Sequence, residues 1–370
     1  MTIARQELGE SLNFTSEKVL YKGTNKMAKY IPLSCVWEMT LQCNMHCIHC
    51  GSRAGEKREN ELTLEECMKV ANDLIELGCR RISLIGGEIF LYNGWEHVAK
   101  VLSENGVLAN VITNGYKFGD DEINKIKYAG LTNICFSVDG MEENHDRIRN
   151  RKNSFKKVLE GFSRLRKEGI PFAVVTTLLD FNFYDLENMY DLFVKNEVSA
   201  WQIQLANLMG NMNDNKQLAI KTEKIPFITR FIREKKEENK MNIYAADDIG
   251  YYDENEKYLR GKCGEISYWP GCQAGLTVVG IDSIGNIKGC ESLYADKFIE
   301  GNLRNESLKD IWFNDDNFSY NRKFTKDLLS GNCARCDMGD FCRGGCKGNS
   351  YFNKGYLFEN PYCVYGAMKT

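Results

Sequence analysis

The placement of its fifteen cysteines constrains this chain more than any other feature. Three fall within residues 43–50 and eight within residues 263–363. The other four, Cys35, Cys67, Cys79 and Cys135, stand alone in apolar segments. The opening MTIARQELGE holds no apolar signal-peptide core, and no apolar run reaches membrane-spanning length. The sequence therefore predicts a soluble, cytoplasmic protein. A disulfide framework is disfavoured in a reducing cytosol. Thiolate metal ligands and inert buried thiols remain, and spacing divides them: the grouped cysteines read as ligands, the isolated four as core. A net charge of −3 over 370 residues points to no nucleic-acid or membrane-surface partner. With 43% hydrophobic residues the chain can bury one large domain and a smaller one.

From residue 33 to about 205, short β-branched runs alternate with amphipathic stretches. Strands are expected at 35–39, 82–85, 107–112, 133–138, 172–177 and 201–205. Thr63 opens the first helix, and Glu66 three residues later completes a capping box. Leu64, Cys67, Ala71, Leu74 and Ile75 recur at helical spacing, and Gly78 ends the run. Further helices are expected at 95–104, 121–129, 154–168 and 185–196, with the charged stretch 222–240 as the last. Six strand–helix units imply a parallel sheet covered by helices, too few for a closed eight-stranded barrel. An open partial barrel and an open doubly wound sheet both satisfy the pattern. After residue 240 the pattern breaks. Residues 261–370 are rich in Gly, Cys and aromatics, and beyond 308–313 show little helical period. A region so poor in regular elements needs cross-links.

In LQCNMHCIHCGS, Cys43, Cys47 and Cys50 form a C-x3-C-x2-C loop just after the first strand. Three thiolates in eight residues grip three corners of a cubane cluster and leave the fourth iron open to a substrate. A zinc site with His46 or His49 as fourth ligand is the alternative. Placement at the C-terminal end of a strand favours an active site. This loop resembles the signature of the radical S-adenosylmethionine superfamily. The resemblance implies a [4Fe-4S] cluster whose open iron binds the amino and carboxylate groups of S-adenosylmethionine. It also implies a partial (β/α)6, TIM-like barrel. His49, before the last cysteine, stands where the family commonly has an aromatic ring beside the adenine.

Gly86-Gly87-Glu88 follows the second strand, where the family has a Gly-Gly-Glu turn binding the cofactor's amino group. Two glycines permit close backbone approach and a carboxylate matches an ammonium. Ile89 and Phe90 stand where a proline is common. Thr113 and Asn114 end the third strand, and Ser137 and Asp139 the fourth, as polar contacts to ribose or carboxylate. HDRIRNRKNSF (residues 145–155) is similar to the family's His-Asp-x-x-Arg segment, which implies that Arg149 faces the cofactor carboxylate. Gln204 and Leu205, at the end of the sixth strand, are expected along the adenine or substrate pocket.

The second cysteine set, Cys272-x12-Gly285-x4-Cys290, then Cys333-x2-Cys336-x5-Cys342-x3-Cys346 and Cys363, resembles the SPASM domain of peptide- and protein-modifying radical enzymes. Cys263 supplies an eighth thiol. The resemblance implies two auxiliary clusters, an inner one on Cys263, Cys272, Cys290 and Cys346 and an outer one on Cys333, Cys336, Cys342 and Cys363. With the first, that makes three [4Fe-4S] clusters. Saturated clusters suit electron transfer. Two zinc ribbons are the alternative. Glu291, directly after Cys290, matches the acidic base of sulfatase-maturating relatives. The expected division is an N-terminal segment 1–32, a barrel 33–240, a bridge 241–262 and a loop-rich SPASM domain 263–370.

The implied activity is a 5′-deoxyadenosyl radical that abstracts hydrogen from a side chain. The expected substrate is a ribosomally made peptide gaining a carbon–carbon, thioether or ether cross-link. Oxidation of a sulfatase Cys or Ser to formylglycine is the alternative within the class, and a non-catalytic iron–sulfur carrier or redox sensor the alternative outside it. Only about thirty residues precede the first strand, so leader recognition is expected to need a separate leader-binding protein. A flavodoxin or ferredoxin is the expected reductant.

Overall fold

The computed structural model describes residues 30–365, so nearly all of the expected N-terminal segment lies outside the described residues. Six parallel strands run side by side in chain order: β1 (Ser34–Glu38), β2 (Arg81–Ile85), β3 (Leu108–Thr113), β4 (Ile134–Ser137), β5 (Phe172–Leu178) and β6 (Ala200–Leu205). Helices α1 (Leu64–Glu76), α2 (Trp95–Glu104), α3 (Asp120–Ala129), α4 (Glu142–Arg149), α5 (Ser154–Lys167), α6 (Leu186–Lys195) and α7 (Ile225–Glu238) return the chain. The Thr63–Glu66 capping box is present, with Glu66 N 3.2 Å from Thr63 Oγ1. Helix α4, unforeseen in the sequence pattern, carries Arg149 in its last turn.

The strands alternate in what they face. Cys35, Trp37, Ile82, Leu84, Val111, Ile134, Phe136, Phe172, Val174, Trp201 and Ile203 pack into one apolar core with the helices. Their neighbours Glu38, Ser83, Ser137, Thr177, Gln202 and Gln204 line an internal cavity instead. Below that cavity Cys135, Ala173, Val175, Ala200 and Tyr244 pack together. The outer face is thus greasy, the inner face polar where it meets the cavity and small or apolar where it is plugged. All four isolated cysteines are buried.

The sheet does not stop at residue 240. Strand β7 (Asn242–Ala245) adds in parallel beside β6. On the opposite edge β8 (Val278–Ile281) pairs in parallel with β1, Trp37 standing opposite Ile281. Antiparallel β9 (Asn286–Lys288) and β10 (Gly301–Asn302) follow. The ten strands run in the order β10-β9-β8-β1-β2-β3-β4-β5-β6-β7, an open sheet among the described residues. The architecture is the partial α/β barrel, with the loop-rich region carried on its β1 edge. Beyond β10, α8 (Leu308–Phe313) and α9 (Lys347–Lys354) are the longest regular pieces.

Candidate active site

The cysteine loop leaves β1 at its C-terminal end and is held from two sides. On one side, Gly87 N donates to Thr40 O at 2.7 Å and Glu88 N to Gln42 O at 2.8 Å. On the other, the loop after β6 clamps the carbonyls: Asn211 N bonds Cys50 O at 2.8 Å, Asn211 Nδ2 bonds Cys47 O at 2.9 Å, and Asn215 Nδ2 bonds Ile48 O at 3.1 Å. Gly210 has φ +57°, and a Cβ there would collide with the Cys50 and Gly51 carbonyls. Cys43, Cys47 and Cys50 line the cavity, which measures about 420 Å³.

Nine of the eleven expected cofactor contacts line the same cavity: His49, Gly86, Gly87, Thr113, Asn114, Ser137, Arg149, Gln204 and Leu205. Two do not. Glu88 turns away; its carboxylate accepts from Thr113 Oγ1 at 2.7 Å and Asn114 N at 2.8 Å. Burial pushes its carboxyl up to about 7. Glu88 thus ties the β2 turn to the β3 turn, while Gly86 and Gly87 face the cavity. Those glycines are needed for close approach to the Thr40–Gln42 backbone.

Asp139 is the second residue outside the cavity lining. Fully buried, it accepts from His49 Nε2 and Arg149 Nη2, each at 2.7 Å, and from Thr177 N at 2.8 Å. Burial alone would raise its carboxyl, but the Arg149 guanidinium and His49 hold it well below the usual range. Asp139 thus positions two cavity residues rather than touching the cavity. Arg149 also sends Nη1 to Cys47 Sγ at 3.9 Å. His49 Nδ1 and Arg149 Nε remain buried without a protein partner.

His145 accepts from Asp139 N through Nδ1 at 3.2 Å. Burial first, and the Arg149 charge second, push it down to about 3. An unfolded histidine takes up a proton near pH 6.5, whereas this one does not until about 3. Its share of stability is thus present above about 6.5 and lost as pH falls towards 3, by at most ~1.4 kcal/mol per pH unit. The urea midpoint of His145→Asn should depend less on pH than wild type between about pH 7 and 5; equal slopes would refute this assignment.

Of the C-terminal thiols, Cys272, Cys290 and Cys346 line the cavity and lie within electrostatic reach of one another. Cys342 is surrounded in the same way by Cys333, Cys336 and Cys363. Cys263 is not brought to the inner three. Its Sγ donates to Met241 O at 3.8 Å and lies near Lys236, at the N-terminal end of β7. The cavity opens at the other end of that strand, about 13 Å away at ~3.3 Å per residue. In this structure it stands apart from the inner three, because Lys236 Nζ on α7 donates to Gly261 O and holds this stretch of chain there.

Glu291 lines the cavity, with Oε2 3.2 Å from Lys288 Nζ and Oε1 buried without a partner. Burial raises its carboxyl against the pull of Lys288. Sequence reasoning missed the group around it. Glu38 on β1 and Tyr294 also line the cavity, and Arg58 joins both to Ser283. A carboxylate inside an otherwise apolar β1 was the available signal for Glu38. Lys347, fully buried, lines the cavity too and lies within electrostatic reach of Cys272, Cys346, Cys342 and Cys333.

The donors suit iron–sulfur clusters and a polar ligand. Each cysteine set presents several thiols, Arg149 Nε is an unsatisfied donor, and His49 Nδ1, on a ring whose Nε2 donates to Asp139, is an unsatisfied acceptor, a pair that a polar nucleoside or amino-acid ligand would complete. Among the described residues no three His, Cys, Asp or Glu side chains converge as a single metal ion requires.

A Radical SAM superfamily profile matches residues 37–193, and a SPASM iron-sulfur cluster-binding domain profile matches 272–337. An AdoMet-dependent heme synthase of Methanosarcina barkeri is 26% identical over 91% of this chain and 98% of its own length. The mycofactocin maturase MftC of Mycolicibacterium smegmatis is 23% identical over 90% and 83%. In structure, Streptococcus suis SuiB bound to S-adenosylmethionine superposes with a TM-score of 0.72 over 90% of this chain and 78% of SuiB, at 15% identity. That likeness establishes a shared fold. No helix among the described residues is long and apolar enough to cross a membrane.

Proposed function

Because this chain is a radical S-adenosylmethionine enzyme of the SPASM-domain subgroup, we propose that it abstracts hydrogen from a side chain of a ribosomally made peptide and installs a carbon–carbon, thioether or ether cross-link. The observation that carries this reading is one cavity bounded by both cysteine sets, with Glu291 between them. Among relatives, the mycofactocin maturase and a PqqA peptide cyclase of Bradyrhizobium diazoefficiens, 25% identical over 91% of this chain, support a peptide substrate.

A [4Fe-4S] cluster with S-adenosylmethionine supplies, when bound, the electron and the 5′-deoxyadenosyl radical that starts the reaction. Cys43, Cys47 and Cys50 would each hold one iron and leave the fourth for the cofactor. Arg149 Nε would donate to it and His49 Nδ1 would accept from it, both side chains being held by Asp139. Ser137, Thr113, Asn114, Gln204 and Leu205 shape the walls. Glu291 would accept the proton released as the substrate closes its new bond, and Cys272, Cys290 and Cys346, with Cys333, Cys336, Cys342 and Cys363 beyond them, would hold the groups that supply electron-accepting chemistry. The partners this reading calls for are a flavodoxin- or ferredoxin-class reductant and, for a leader-guided peptide, a separate leader-binding protein.

Anaerobic reconstitution with dithionite and S-adenosylmethionine is expected to yield 5′-deoxyadenosine, with iron near about twelve per chain for three [4Fe-4S] clusters. No 5′-deoxyadenosine would end the radical reading, and zinc in place of iron would end the cluster assignment. A candidate peptide encoded beside this gene is expected to lose two hydrogen masses. Oxidation of a sulfatase Cys or Ser instead identifies formylglycine formation. The heme synthase, aligned over nearly all of both chains, favours a second reading, oxidation of a heme precursor. Turnover of an iron porphyrin but not of peptide would select it.

A further inference from the structure

The inner cysteine set has three members at the cavity, and its fourth expected member is at the far end of β7. A carboxylate stands where the fourth is missing. Asp248, just beyond β7, is only 7% exposed and lines the cavity with Cys272, Cys290 and Cys346. Its Oδ2 accepts from Leu205 N at 3.0 Å, while Oδ1 is buried with no partner. The turn that carries it is fastened to the cysteine set. The Tyr251 hydroxyl donates to Asp247 O at 2.7 Å and accepts from Cys346 N at 3.1 Å. Gly250 bridges to Cys363 in the outer set.

No side-chain cation satisfies this carboxylate. Arg260, a buried cation close enough to act on it, spends its guanidinium on Glu256 and on the Ala246 and Ile249 carbonyls. Glu291, the other buried carboxylate with a free oxygen at the cavity, is paired with Lys288. An ionised carboxylate buried without a cation is costly, and a metal ion removes that cost. Asp248 therefore has both the position and the unpartnered, buried oxygen of a ligand.

We propose that the inner auxiliary cluster is held by Cys272, Cys290, Cys346 and the Asp248 carboxylate, without Cys263. This rests on the reading that these cysteines bind a cluster at all. A carboxylate ligand sets a potential different from that of four thiolates. It would also give the inner site one hard, exchangeable oxygen ligand.

The test uses the full chain with Cys43, Cys47 and Cys50 replaced by alanine, so that only auxiliary iron remains. Iron, sulfide, Mössbauer and electron paramagnetic resonance spectra are recorded after reconstitution. Cys263→Ser is expected to leave iron and spectra unchanged. Asp248→Ala should lose about one iron per chain and give a three-iron signal on oxidation. Asp248→Cys should keep four irons at the inner site and shift its midpoint potential, which separates ligand loss from misfolding. Iron loss in Cys263→Ser, or a wild-type spectrum in Asp248→Ala, overturns the assignment. A parent protein that binds no auxiliary iron overturns this proposal together with the cluster reading beneath it, and so separates the two failures.

Discussion

Gly87→Ala is expected to strip iron from the first cysteine site and to lower S-adenosylmethionine cleavage by about 100-fold or more. The added Cβ would stand 2.5 Å from Leu41 O and closer still to Gln42 O. Both obstacles are backbone, so no rotamer relieves the overlap; either the β2 turn or the cysteine loop must move. Cys43 is the next residue along that loop, fixed through Cys43 N to Gly55 O at 2.8 Å. Overpacking of this kind costs roughly 3 kcal/mol or more when backbone opposes backbone. The displacement falls on Cys43, the first of the three proposed iron ligands. Gly119→Ala is the control, because a Cβ there meets nothing nearer than 3.5 Å. Iron content and 5′-deoxyadenosine formation, measured on both variants, decide the matter. A fully loaded, active Gly87→Ala enzyme would show that this contact does not set the loop.

Asp139→Ala is expected to cost about 3–5 kcal/mol, because it leaves the Arg149 guanidinium buried with no counter-charge. The Arg149 side chain is 10% exposed and that of His49 8%, so water cannot replace the lost partner. His49 and Arg149 would also lose their aim at the cavity. Thermal melting should fall, and the KM for S-adenosylmethionine should rise more than kcat falls, since Asp139 positions binding groups and touches no reacting atom. Asp139→Asn keeps an oxygen for Thr177 N and should lie between the two. Wild-type melting in Asp139→Ala would remove Asp139 from its place as the keystone.

The barrel was legible because its physics is local. Thr63, Glu66 and Gly78 mark α1 by capping chemistry, and the runs around Cys35, Ile82 and Val174 announce strands covered on both faces. Helix α4 escaped notice although Glu142 and Glu143 open it and Arg147 and Arg149 close it, a charge order suited to a helix dipole. Strands β7 to β10 were hidden for another reason. They are two to four residues long; β7 and β8 exist by pairing with β6 and β1, the latter far away in sequence, and β9 and β10 then add in turn to β8. The cavity-lining residues could be named from their strand-end positions. Which of them face inward could not, because Glu88 and Asp139 are claimed by Thr113, Asn114, His49 and Arg149, contacts that only the folded chain brings together. Asp248 and Glu38 carried no motif at all.

The pairing of β8 with β1 bears on how this protein can be cut and rebuilt. Chain order suggests a barrel followed by a separable appendage, the kind of boundary at which domains are swapped or trimmed. Hydrogen bonding says otherwise. A truncation near residue 262 would bare the full edge of β1, a flat row of unpaired amides beside Cys35, Val36 and Trp37, and such edges recruit other chains. The expected product is an aggregate rather than a smaller enzyme. Any chimaera that exchanges the C-terminal cysteine-rich region must carry a strand that completes this edge in the register Ser34 to Val278, or it inherits the same exposed seam.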